Sequence, residues 1–125
     1  MNHMSRAVET TLQTLNGEQL EGALFLLVTL HDSLSGIWAR PGARLDELAI
    51  AEIFDKLSEI CTNLRTVTKR YKSGEWMTGA LQIIEELRQQ LRMLDVSRYD
   101  RQAFVDRLKD LIDVADNCVD CLGAN

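Results

Sequence analysis

Breakers are scarce in this chain: one proline and seven glycines in 125 residues. Few positions therefore interrupt a helix, since proline removes a backbone donor and glycine costs backbone entropy. Apolar–polar alternation of period two is missing over any useful length, so strands are not expected. Basic residues are short as well, with 14 Lys and Arg against 19 Asp and Glu and a net charge of −5. That balance repels phosphates and argues against nucleic acid or an anionic membrane surface as a partner.

Catalytic signatures are equally thin. No glycine-rich phosphate loop occurs, and the Glu-x-x-His motif of di-iron bundles never appears. Ser33 and Ser35 have no accompanying acid–base pair. The carboxylate pairs Glu18/Glu21, Asp46/Glu47 and Glu85/Glu86 are scattered over faces that should be wet. No enzymatic activity and no cofactor are expected. Glu9, Glu18 and Glu21 all precede the one apolar run, and no small-residue cleavage site follows it, so a secretory signal is not expected. Three cysteines without such a signal point to reduced thiols in a cytoplasm. Residues 1–4 read as a start-site extension or tag remnant, and His3 is given no weight.

What the chain does have is the stretch Leu20 to Leu34, LEGALFLLVTLHDSL. Between Gly22 and Leu30 it carries no charge, and Thr29 is the only polar side chain. A helix apolar on nearly every side must be enclosed by protein or lipid. Nine such residues fall short of the roughly 20 that span a bilayer. No membrane span is expected, and the stretch reads as a central helix covered by its neighbours or by a second subunit.

The other helices follow from spacing. Ser5 is placed to cap a short first helix from Arg6 to Leu15, with Val8, Leu12 and Leu15 on one side. Asn16, with Gln19 three residues on, has capping-box spacing for a second helix that ends at Leu34, with Gly36 as its left-handed terminator. Ile37 to Arg44 reads as a loop. A third helix, Leu45 to Tyr71, carries two overlapping seams suited to two neighbours. A fourth spans Glu75 to Leu94. Ser97 with Asp100 has capping-box spacing for a fifth, which continues to Cys121. Short links favour antiparallel neighbours. The expected fold is all-α, a single up-and-down bundle of four long helices plus a short N-terminal one.

Cys118-Val119-Asp120-Cys121 is the one motif-like spacing. It closes a helix, where the dipole opposes a thiolate, rather than opening one. As a zinc half-site it lacks a second half, unless His31 and Cys61 converge on it. A phosphorelay reading of His31 fails because Leu34 and Ser35 stand where lysine and glycine are wanted. Charge is also segregated. Arg65, Lys69, Arg70 and Lys72 close the third helix without an acid. Asp110, Asp113, Asp116 and Asp120 lie where the dipole disfavours them, so a basic surface of the same or a neighbouring chain is expected to offset them.

The apolar excess is the strongest functional sign. Phe25, Leu26, Val28, Ile37, Trp38 and Trp76 fall off the main seams, as do Ile83 and Met93. Two readings stay open for them. They form a docking face for a protein partner or a second copy, or the central helix buries more of its circumference and Trp38 plugs one end. The expected function is a non-enzymatic, self-associating interaction module, an adaptor, chaperone or small regulatory subunit of bacterial type. The alternative is a metal- or ligand-binding bundle using His31, Cys61, Cys118 and Cys121.

Overall fold

A computed structural model describes residues 3–38, 44–71, 74–95 and 99–123. Among them the chain forms five helices: α1 (His3–Gln13), α2 (Gly17–Ile37), α3 (Glu47–Tyr71), α4 (Gly74–Arg92) and α5 (Arg101–Gly123). No strand forms among the described residues beyond an isolated bridge between Arg44 and Asp100. The all-α bundle expected from periodicity is the fold.

Short polar side chains set the helix starts. The Asn16 carboxamide oxygen accepts from the Gln19 N–H at 3.2 Å, and the Gln19 side chain accepts from the Asn16 N–H at 3.1 Å, the reciprocal pair that spacing suggested. Asp46 accepts from the Ala49 N–H at 2.8 Å to open α3. Asp100 accepts from the Ala103 N–H at 2.6 Å to open α5, so it is itself the cap rather than the partner of Ser97, which lies outside the described residues. Ser5 sits inside α1 instead of capping it, and Met4 is a core residue, so the fold begins earlier than expected. α2 likewise runs past Leu34. Gly36 is helical within it, and the Trp38 N–H closes the last turn on the Leu34 carbonyl at 2.8 Å.

Packing centres on α2 and α4. These two helices share the most extensive interface, and α5 then covers α2. α1 packs on α4 and α5, closing a four-helix ring, while α3 lies along α4 and α2. The N-terminal ends of α2 and α4 meet: the Gln19 amide donates to Glu75 at 2.7 Å, and the Phe25 ring packs at a tilt of 53° against Trp76 with centroids 5.3 Å apart. Thr68 against Met77 and Arg88 against Ser58 show α3 running antiparallel to α4.

α2 and α4 also share a sequence. Gly17, Glu18, Gly22, Ala23, Leu24, Leu30 and Leu34 recur at one fixed offset as Gly74, Glu75, Gly79, Ala80, Leu81, Leu87 and Leu91. Burial follows the same register. Gly22, Ala23, Leu26, Leu27, Leu30 and Leu34 are buried in α2, and Gly79, Ala80, Ile83, Ile84, Leu87 and Leu91 in α4. Their contact is reciprocal. A Cβ on Gly22 would overlap the Trp76 carbonyl oxygen, and a Cβ on Gly79 would overlap the Gln19 carbonyl oxygen. Each glycine therefore faces the backbone three residues before the other, so no side chain fits between the two helices there.

Gly22→Ala or Gly79→Ala should cost at least about 1–3 kcal/mol, the usual penalty of overpacking, because backbone rather than a yielding side chain must move. Gly36→Ala, which meets open space inside the same helix, should instead stabilise by up to about 1 kcal/mol through propensity. Urea denaturation of the three variants checks both signs.

Candidate functional site

The outward stripe of α2 consists of Glu18, Glu21, Phe25, Val28, Asp32 and Ser35, all exposed. Four of the six are polar. Phe25 and Val28, at 46% and 37% exposure, put a large apolar pair in its middle. Phe25 leans on Trp76, so its ring is oriented by α4 while one face stays open. Thr29, beside the pair, turns its hydroxyl inward to the Phe25 carbonyl at 2.8 Å. His31 is half-buried at the edge of the stripe and lies 3.3 Å from the Asp32 carboxylate. α2 carries no lysine or arginine.

The rest of the expected docking set separates from this stripe. Leu26, Trp38 and Trp76 are core residues, as is Ile83, because α4, α3 and α5 cover more of α2 than one seam requires. Ile37 is exposed, but it stands at the end of α2, beside residues 39–43, which lie outside the described set. Leu48 and Met93 are exposed at the same end of the bundle. By length and composition α2, at 21 residues, is long and apolar enough to cross a membrane. Here its buried side packs on α4, α5 and α3.

Trp38 anchors a clasp that sequence reading did not foresee. Its indole N–H donates to Glu52 at 3.1 Å, its ring meets the edge of Phe104 with centroids 6.2 Å apart, and the Arg101 guanidinium lies over it at 5.4 Å. Arg101 also reaches Asp46 at 3.6 Å and donates to the Arg44 carbonyl at 3.1 Å. One tryptophan thus joins α2, α3 and α5, and its surroundings are filled. The hydrogen bond from the Ala49 N–H, aided by the Arg101 charge, holds the Asp46 carboxyl below its usual pKa.

The alternative ligand set does not assemble. Among the described residues, no three His, Cys, Asp or Glu side chains are placed to share a metal ion. Cys61 and Cys118 are free, half-buried thiols packed against the core, and the Cys121 side chain is not among those described. Of the charged groups, Arg65, Lys69 and Arg70 are exposed near the end of α3, favourably placed for its dipole. Asp110 pairs with Arg107 at 3.2 Å and Asp113 with Lys109 at 3.4 Å, so their charges are offset one turn earlier on the same helix. Asp116 is exposed. Lys72 lies outside the described residues, as does the side chain of Asp120.

Two measurements separate core from surface here. Trp38→Ala should cost about 3–5 kcal/mol of folding stability, whereas Val28→Ser should stay within about 0.5 kcal/mol of wild type, both read by denaturant titration. The Asp46 contribution has a definite sign with pH. Its folded pKa lies below the unfolded one, so the stabilisation is complete above the unfolded pKa of about 4 and fades as pH falls through the folded value. The gap in urea midpoint between wild type and Asp46→Ala should therefore narrow below about pH 4. No protein-family model, no curated protein and no solved structure matches this chain, so its function is argued from these residues alone.

Proposed function

We propose that the chain is a non-enzymatic protein-interaction module, an adaptor, chaperone or small regulatory subunit, and that it engages its partner through the outward stripe of α2. One observation carries this reading: an exposed, central place on a helix that packs against three others is given to the Phe25–Val28 pair. Scattered single apolar residues need no explanation, but an adjacent aromatic–aliphatic pair on one helix face is the form that binding anchors take. Each such side chain contributes about 1.5–3 kcal/mol when fully taken out of water, before the costs of association. Phe25 is already braced by Trp76, so little ordering of its ring is left for binding to impose.

A photo-crosslinking residue placed at position 28 tests the reading, with the same residue at Glu85 as the control on α4. The expected result in the native cell is a discrete protein adduct from position 28 and none from position 85. No adduct at 28, or the same adducts from both positions, would overturn it.

A further inference from the structure

The register shared by α2 and α4 supplies an internal control for the stripe. At the offset that superposes their glycines, Glu21, Phe25, Val28, Asp32 and Ser35 of α2 correspond to Thr78, Gln82, Glu85, Gln89 and Arg92 of α4, and all ten are exposed. α4 therefore shows what this helix looks like when its outer face meets only water: five polar residues in a row. Phe25 and Val28 stand where α4 has glutamine and glutamate; part of Phe25 meets Trp76, whose equivalent in α2 is Gln19, while the rest of its ring and the open side of Val28 face outward. The residues bracketing the pair are acidic: Glu21 on one side and Asp32 on the other, with Glu18 one turn beyond.

Resting on the interaction reading above, we infer that the occupant of this stripe is a basic amphipathic helix of another protein, with an apolar ridge over Phe25 and Val28 and Lys or Arg on its flanks. Charge decides against a second copy. In an antiparallel two-fold pairing of α2 stripes, Phe25 meets Val28 and Glu21 meets Asp32. In a parallel pairing each acid meets its own mate. Both arrangements set carboxylate against carboxylate, and α2 has no lysine or arginine to relieve them. A partner helix with basic flanks turns the same acids into attraction, which governs register and encounter more than it governs raw affinity.

The test uses the intact chain and two synthetic helical peptides with the same leucine ridge, one flanked by lysines and the other by glutamates, followed by fluorescence anisotropy. The lysine peptide should bind at least about tenfold more tightly than the glutamate peptide, as several modest rim pairs give together. Salt should weaken that binding. The charge reversal Glu21→Lys/Asp32→Lys, at exposed positions that leave the core intact, should reverse the preference, and Val28→Glu should abolish binding. Equal binding of both peptides overturns the basic partner. A dimer in sedimentation that Val28→Glu dissolves gives the stripe to a second copy and overturns it too. Binding of the chain to phosphatidylcholine vesicles, lost in Val28→Glu, gives the stripe to lipid with the same consequence. If neither peptide binds while position 28 still crosslinks a protein, this inference falls and the interaction reading stands; if the crosslink is absent as well, both fall.

Discussion

Two missing side chains hold this molecule in its arrangement. Gly22 and Gly79 let the backbones of α2 and α4 touch, each glycine against the carbonyl three residues before the other. Any larger residue would push the helices apart at that end and disturb the core beyond it, to which Leu26, Leu27, Leu30 and Leu34 of α2 and Ile83, Ile84, Leu87 and Leu91 of α4 all belong. Helix pairs with bulky contacts keep their axes roughly 8–10 Å apart. Removing Cβ atoms at the crossing allows closer approach and lets Cα–H groups meet carbonyl oxygens. α1, α3 and α5 then pack around a pair whose spacing is already determined. The longest helix, α3, is consequently a flanking element, and the shortest, α1, is part of the central ring.

The opposite end of α2 is held by different chemistry. Trp38 there gathers Glu52, Phe104 and Arg101 from two other helices, while Arg101 ties the starts of α3 and α5 together through Asp46 and Arg44. A cation over an indole and a charged cap are surface-level interactions of modest strength taken singly. Their value lies in sharing one site, so that the cap of α3, the end of α2 and the first turn of α5 position one another. With the inner side of α2 committed to packing at both ends, Phe25 and Val28 lie in the middle of the face left outward.

The sequence revealed those features that depend on local spacing. Five helices and the Asn16–Gln19 box follow from periodicity of 3.6 and from short polar caps, and these rest on residues within a turn or two of one another; the expected enclosure of Leu20 to Leu34 holds for its inner side alone, since Phe25 and Val28 are exposed. Features that depend on a distant partner were not legible in the same way. Gly22 marked only the start of the uncharged run, since nothing local announces that Trp76 will lie against it. Trp38 read equally well as a docking anchor or a plug, and the choice was made by Arg101 and Phe104, far along the chain. Asp110 and Asp113 stand where the helix dipole disfavours them, but Arg107 and Lys109, one turn before, offset them. The recurrence of α2 in α4 was present as a signal, Gly-Ala-Leu at matching places, but it was masked by the different residues that fill the two outer faces.

That difference carries the functional argument. Two helices with the same glycine contact and parallel courses meet similar demands on their inner faces, and from Gly22 and Gly79 onward they are filled alike: leucine or isoleucine opposite leucine, alanine opposite alanine. Where their outer faces diverge, these shared inner contacts do not supply the reason. Water on the outer face of α4 is met by Thr78, Gln82, Glu85, Gln89 and Arg92. An aromatic and a branched aliphatic residue at two of the equivalent places in α2 lose the hydration that Gln82 and Glu85 keep, and gain only the edge contact of Phe25 with Trp76. Val28, more than a third of it exposed, is covered only in part by the described residues. On the proposed reading a surface outside this chain covers the pair, and the acids on both sides favour positive charge beside its apolar ridge.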